Sequence, residues 1–529
     1  MAERPAFGVR WVAEACEGRV LGAPEQPPFD RFVRDSREDV RGACFVALRG
    51  ENHDGHAFVP QVLQAGAAAV LVEESALPAS TADGPSGWDL RRAAAIVVPD
   101  AVRAIADIAR AHRRRMPARV IGLTGSCGKT TTKDMLRAIL QHVGPTLATE
   151  GNLNNHLGVP FTLFGLRPEH CFAVVEMGCN HPGEIAVLAA IAEPELGLIT
   201  CVAPAHLEGL GSLEGVARAK GELFAALDQP HATAIVNLDD PRVAALPTGR
   251  ARRITVGWAE SADVRIGEVG PQEGRRAVAP GDTRASEPRA SARGLLDRPS
   301  RALAPKGLGG TAAEQGAVRF RQHGGSLFTL HLPDGPPVDV ELSLPGRHVV
   351  LDAALAAAAA WAAGAGPEAI AAGLASIGPG RHRGEIHTSS RGVIVLDDTY
   401  NANPGSVRSA LETLSTLPGQ GRKVAVLGEM LELGSAAPEL HRQIGEAAGR
   451  AGIDLLLCVG PDASRTVDGA RAAGLADEAT LAFETTEAVL AAVDGLLRPG
   501  DRVLVKGSRG MRMERVVEGI LRGPGADAV

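Results

Sequence analysis

The sequence predicts an α/β protein of three units: a small N-terminal α/β module, a central domain built on a mostly parallel sheet with a phosphate-binding loop, and a C-terminal open α/β sheet. Three observations carry this expectation. The segment Ile121-Gly122-Leu123-Thr124-Gly125-Ser126-Cys127-Gly128-Lys129-Thr130-Thr131 reads as a strand, a glycine-bearing turn and a helix start. Short β-branched runs alternate with helix-length segments from Val120, and again from about Gly380, as crossover units on parallel strands do. At 529 residues the chain is also too long for one core and fits about three domains.

Residues 1–115 form the first unit, with strands expected at Cys44–Leu48 and Ala68–Val72 and a helical stretch between them. The central unit, 116–379, places strands at Phe172–Val175, Leu198–Thr200 and Ala234–Val236. Within it, residues 268–316 are dominated by Pro, Gly, Arg, Ala and Ser without apolar periodicity, so a low-complexity surface insertion is expected. The third unit, 380–529, alternates again, with strands expected at Val393–Leu396, Val424–Leu427, Leu455–Val459 and Val503–Val505. Gly378-Pro379-Gly380 at the junction suggests a hinge near 379–381.

Composition excludes several classes. A net charge of −7 and dispersed arginines argue against a nucleic-acid binder. The seven cysteines are odd in number and form no C-x-x-C pair, which favours a reducing compartment over a disulfide framework or a zinc site. No apolar h-region follows Met1-Ala2-Glu3-Arg4, and the alanine-rich run Ala353–Ala365 is too short and too weakly apolar to span a bilayer. A cytoplasmic protein is expected, without membrane insertion.

The chemistry concentrates in a few places. Gly125 and Gly128 let the backbone curl so that N–H groups point inward at phosphates, Lys129 can reach the β/γ-phosphates, and the Thr130 hydroxyl can ligate Mg²⁺. Leu123 fills the slot of the first glycine in the usual loop pattern. Glu176 ends an apolar strand, where a carboxylate can ligate a cation at the carboxyl edge of the sheet. His206 follows another strand and could complete a second metal site. Lys220 has Val216, Ala217, Leu223 and Phe224 as its helical neighbours, so it sits on an apolar face. Desolvation there would leave an amine able to hold a ligand, act as a base, or capture CO₂ as a carbamate. In Asp397-Asp398-Thr399-Tyr400-Asn401-Ala402-Asn403-Pro404, Asn403 is a candidate N-cap with Pro404 at the first helical position. Capping leaves the Asp pair, Asn401 and the only tyrosine unexplained, and hydrogen bonds to a ribose or a small polar substrate would explain them.

Taken together, Thr124–Thr131, Gly151-Asn152-Leu153-Asn154-Asn155, Glu176-Met177-Gly178, Pro204-Ala205-His206, Ala219-Lys220-Gly221-Glu222 and Asp397–Pro404 resemble the ATP-dependent Mur ligase family. Asp35-Ser36-Arg37, Gly50-Glu51 and Asp54-Gly55-His56 extend the similarity to the N-terminal unit, and Leu431-Glu432-Leu433-Gly434 to the C-terminal one. Tyr400–Pro404 is the most specific run, and resembles the branch that joins D-alanyl-D-alanine to UDP-N-acetylmuramoyl-tripeptide. The resemblance implies a three-domain architecture with a Rossmann-like C-terminal domain, ATP with two Mg²⁺, and activation of the peptide carboxylate as an acyl phosphate. It implies that Gly125, Ser126, Cys127, Gly128, Lys129, Thr130 and Thr131 hold ATP, with Arg381 and Asp398 also reaching the nucleotide. It implies Thr130, Glu176 and His206 as metal ligands and a carbamylated Lys220 bridging to a second metal; with Lys129, the last three are the expected catalytic residues. Ser36 and Arg37 would contact the uridine nucleotide, Asn152, Asn154 and Asn155 the sugar-peptide path, and Tyr400, Asn401 and Asn403 the incoming dipeptide. The chain would act as a monomer. Two departures stand out: Cys127 replaces the usual Ser or Asn, and Val349 and Asp352 replace two asparagines expected after Gly346-Arg347-His348.

Overall fold

The strand Arg119–Thr124 organises the central domain of this computed structural model, which describes residues 6–22, 28–50, 53–77, 80–81, 84–85, 87–267, 319–320 and 325–523. The insertion expected at 268–316 lies outside the described residues, as do Glu51 and Met1-Ala2-Glu3-Arg4.

Seven parallel strands run in the order Thr146–Ala148, Phe172–Glu176, Arg119–Thr124, Leu196–Ile199, Thr233–Asn237, Arg252–Gly257, Val264–Gly267. Antiparallel strands Ser326–His331, Val338–Leu342 and Arg319–Phe320 extend that sheet past its last parallel member. Arg119–Thr124 has a later strand on each side, Phe172–Glu176 and Leu196–Ile199, so the chain reverses its direction of growth around it. In open parallel sheets such a switch point leaves a crevice at the carboxyl ends, where ligands bind.

The helix Lys129–Gln141 begins in that crevice. Gly128 precedes it at φ 78° and Gly125 stands at φ 153°. A Cβ at Gly125 would lie 1.8 Å from Thr200 Oγ1, and one at Gly128 2.3 Å from Asp352 Oδ1. Glycine is therefore required twice, by backbone conformation and by close approach. Helix Arg347–Ala362, the alanine-rich run, is buried against the same sheet. No helix among the described residues is long and apolar enough to cross a membrane.

The N-terminal unit is a five-stranded sheet in the order Arg19–Gly22, Ala94–Val98, Ala69–Glu73, Cys44–Val46, Phe32–Val33. Asp100 accepts from the Arg103 N–H at 2.9 Å to start helix Ala101–Arg114, whose last turn carries His112, Arg113 and Arg114 in keeping with the helix dipole. The C-terminal sheet runs Glu385–Thr388, Ile394–Asp398, Arg502–Lys506, Lys423–Gly428, Leu455–Val459, Thr480–Phe483, parallel except for its first strand. Asp397 and Asp398, expected in the loop, close the strand instead, because they pair in register with Val505 and Lys506. Asn403 caps helix Pro404–Thr416 as expected, in a reciprocal box with Ser406.

Candidate active site

The phosphate-binding loop opens into a cavity of about 830 Å³ between the central and C-terminal domains. On its central wall, Lys129 Nζ donates to Gly125 O at 2.7 Å, folding the amine along its own loop. The Thr130 hydroxyl donates to Glu176 Oε2 at 3.1 Å, and Asn154 Nδ2 donates to Glu176 Oε1 at 2.8 Å. Glu176 is 2% exposed, and its carboxylate is fixed from both sides.

Lys220 is 1% exposed on helix Leu213–Ala225, which Ser212 caps at the Gly215 N–H. Its Nζ donates to Cys179 Sγ at 3.2 Å. Burial pushes its pKa below the ordinary lysine value, and the nearby Lys129 ammonium adds to that shift. His206 stands in the left-handed region at φ 53°, with Nδ1 2.5 Å from Glu432 Oε2. Burial lowers its pKa, opposed by the Glu432 charge.

The C-terminal wall supplies a second set. Lys506, 3% exposed, donates from Nζ to Asp398 Oδ2 at 2.5 Å and to Asn401 O at 2.9 Å. The Arg383 guanidinium lies 3.6 Å from the centroid of the Tyr400 ring. Asn403 spans the two walls: Cys127 Sγ donates to its Oδ1 at 3.1 Å, while its Nδ2 donates to Ser126 O at 3.3 Å. A hydrogen bond from Cys201 and the Lys129 charge bring the Cys127 thiol down to about 7 against the opposing effect of burial.

The structure brings most of the expected residues to this one cavity: Ser126 to Thr131, Asn152, Asn154, Asn155, Glu176, His206, Lys220, Asp398, Tyr400, Asn401 and Asn403. Gly125 sits behind the loop against Thr200. Arg381 does not line the cavity; its Nε is 3.2 Å from His382 Nε2, and Arg383 takes the lining position. Ser36 and Arg37 lie away from it in the N-terminal unit, with Arg37 paired to Asp35 at 2.6 Å. Four lining or supporting residues were not singled out from sequence as parts of the site: Arg383, Lys506, Glu432 and Asp352. A lysine at the end of a buried strand was the available signal for Lys506. Burial lifts the Asp352 carboxyl well above the usual carboxylate range, and the side chain packs against Gly128.

The donor set suits a hard divalent cation. Thr130 and Glu176 present oxygens that already meet at 3.1 Å, and His206 lines the same cavity with Nε2 free of any hydrogen bond among the described residues. Lys220 offers a nitrogen, and becomes an oxygen donor only as a carbamate.

A phosphate loop at the switch point of a parallel sheet, faced by a second sheet bringing its own acid, amide and lysine, defines a nucleotide-dependent enzyme working between two domains. Family models match in three consecutive stretches: "Mur ligase family, catalytic domain" over 34–113, "Mur ligase middle domain" over 123–285 and "Mur ligase, glutamate ligase domain" over 382–509. The chain is 37% identical to the UDP-N-acetylmuramoyl-tripeptide--D-alanyl-D-alanine ligase of Escherichia coli K12, covering 93% of each protein. It is 33% identical to the enzyme of that name from Mycobacterium tuberculosis H37Rv, over 97% of each. Among solved structures, MurF from Acinetobacter baumannii superposes with a TM-score of 0.79 at 29% identity, over 98% of this chain and 100% of that one. The MurF ligase of Thermotoga maritima in complex with ADP gives 0.72 at 26% identity, over 93% and 97%. The chain belongs to the Mur ligase family.

Proposed function

We propose that this protein joins D-alanyl-D-alanine to UDP-N-acetylmuramoyl-tripeptide at the expense of ATP, as a monomer in the cytoplasm, in peptidoglycan precursor synthesis. The observation that carries the reading is the meeting of the phosphate loop with the Tyr400–Pro404 loop in one cavity, held by the two bonds of Asn403 to Cys127 and Ser126. Full-length similarity to relatives of that name supports the substrate assignment.

A carboxylate does not acylate an amine in water at useful rates. The γ-phosphoryl of ATP is therefore transferred to the C-terminal carboxylate of the tripeptide, giving an acyl phosphate and ADP. Attack by the dipeptide amine forms a tetrahedral centre, which expels phosphate as the amide forms and the amine gives up its proton. Lys129 and the backbone N–H groups at the start of helix Lys129–Gln141 neutralise and orient the transferring phosphoryl. Thr130, Glu176 and His206 would hold a Mg²⁺, and Lys220, once its neutral amine had taken up CO₂ as a carbamate with loss of a proton, would hold a second; such ions would supply further charge neutralisation. Asn152, Asn154 and Asn155 line the approach of the peptide, Asp398 that of the nucleotide, and Tyr400 and Asn401 that of the dipeptide. Closing the cavity keeps water from the acyl phosphate.

The test is incubation with ATP, Mg²⁺, UDP-N-acetylmuramoyl-tripeptide and D-alanyl-D-alanine, following phosphate and the product mass. One phosphate per product and a gain of one dipeptide less water are expected. Turnover with single amino acids only would assign a different acceptor. Lys220→Ala should remove any dependence of the rate on bicarbonate.

A further inference from the structure

His206 and Glu432 are separated by 226 positions in sequence and meet across the seam between the central and C-terminal domains. Both are non-glycine residues held in the left-handed region, at φ 53° and φ 64°. Such conformations are uncommon for residues other than glycine, persist only where the surroundings hold them, and gather at functional sites. The strained loops also touch through their backbones: the Glu208 N–H approaches Glu432 O at 3.5 Å, and a Cβ on Gly434 would lie 3.6 Å from Glu208 Cα. The Glu432 side chain is 58% exposed, so it is not there to fill a core.

We propose that Glu432 is a positioning residue for the ligation reaction: its carboxylate, delivered by the C-terminal domain, accepts the Nδ1–H of His206 and so presents Nε2 to the cation site. This rests on the reading of His206 as a metal ligand. A ligating histidine is characteristically oriented by a carboxylate on its other nitrogen, which fixes both tautomer and ring plane. Here that carboxylate comes from another domain. The histidine is fully oriented only when the C-terminal domain is seated, which couples completion of the cation site to closure over the dipeptide loop. The same seating places Asn403 on the phosphate loop, so one movement sets both walls.

The experiment is a Mn²⁺ titration of the full-length protein with a non-hydrolysable ATP analogue, reading free Mn²⁺ by electron paramagnetic resonance. Glu432→Ala should weaken Mn²⁺ binding by about 10–100-fold. Glu432→Gln, which keeps an acceptor oxygen, should recover part of that loss. Glu432→Gly removes the carboxylate while relieving the positive φ, and should hold or raise the thermal midpoint yet bind Mn²⁺ as weakly as the alanine variant. His206→Asn should weaken binding, and adding Glu432→Ala to it should change nothing further. If His206→Asn weakens Mn²⁺ binding and Glu432→Ala leaves it within twofold of the parent, Glu432 is a surface partner only and the inference fails alone. If His206→Asn has no effect, the metal reading of His206 fails and takes the inference with it.

Discussion

The two seams of this molecule are built from opposite materials. Between the N-terminal and central units, Phe7, Phe29 and Phe32 pack with Phe164 and His112. The Phe32 and Phe164 rings stack at 4.1 Å, and one continuous apolar core runs through both units. Between the central and C-terminal units no apolar cluster crosses among the described residues; each side keeps its own core. That joint is held by Asn403 on the phosphate loop and Glu432 on His206. Apolar burial is non-directional and resists sliding, whereas a few hydrogen bonds facing a wet cavity can be exchanged for water at small net cost. The first seam is therefore expected to act as a fixed platform, and the second as the joint that opens to admit substrates.

The comparison breaks most directly at Phe164, which is 6% exposed. Phe164→Ala should cost about 3–5 kcal/mol through lost burial and the cavity left behind. Because the core is shared, hydrogen exchange should rise on both sides of the seam together, in 28–46 as well as 158–166. Exchange confined to one side would show that the two units melt separately.

At the polar seam the same kind of truncation should act on rate more than on stability. Asn403→Ala removes a helix cap, worth about 1 kcal/mol, and also both bonds to the phosphate loop. Misplacing the dipeptide loop by an ångström should lower kcat/KM by roughly 10–100-fold. Asn403→Ser keeps a cap and should restore the thermal midpoint but not the rate. Equal recovery of both would reduce Asn403 to a cap.

How legible each seam was follows from the same contrast. The phosphate loop, the buried face around Lys220 and the Asn403 cap are local patterns of a few residues, and each could be read from sequence spacing. Lys506 ends an apolar strand and Leu431-Glu432-Leu433-Gly434 carries part of the family likeness, but their partners lie 108 and 226 positions away, so neither local pattern reports what the side chain meets. The arginine that lines the cavity, beside Tyr400, is Arg383 and not the expected Arg381, and between them the chain turns at His382, held at φ 62° with Nδ1 on Asp397 Oδ2 at 2.8 Å. Spacing alone does not show which side of that turn faces the cavity. The antiparallel extension of the central sheet was invisible for a related reason: Val264–Gly267 and its partner Ser326–His331 lie on either side of the 268–316 insertion.

Cys127 gives a sharper probe of the polar seam. With its thiol at about 7, lowered from the ordinary value of 9.0, its thiolate fraction should rise through neutral pH and saturate by about pH 8. Iodoacetamide labelling of Cys127 should follow that curve, stop turnover, and slow when ATP is present. Cys127→Ser should abolish the sensitivity at a few-fold cost in rate at most. Labelling that still climbs at pH 9 would place the thiol outside the reach of Cys201 and Lys129.

The smallest effect is the movement itself. A hinge at Gly378-Pro379-Gly380 would let the C-terminal sheet lift while the platform of the other two units stays whole. Small-angle scattering should show the radius of gyration falling by on the order of 1 Å, against about 24 Å for a compact chain of this length, when an ATP analogue and both other substrates are added together. Phe164→Ala should leave that change intact in the folded fraction, and Asn403→Ala combined with Glu432→Ala should reduce it, since those two side chains are what closure brings to rest. No compaction in the parent protein would mean that the polar seam is as fixed as the apolar one, and that substrates enter a cavity already closed.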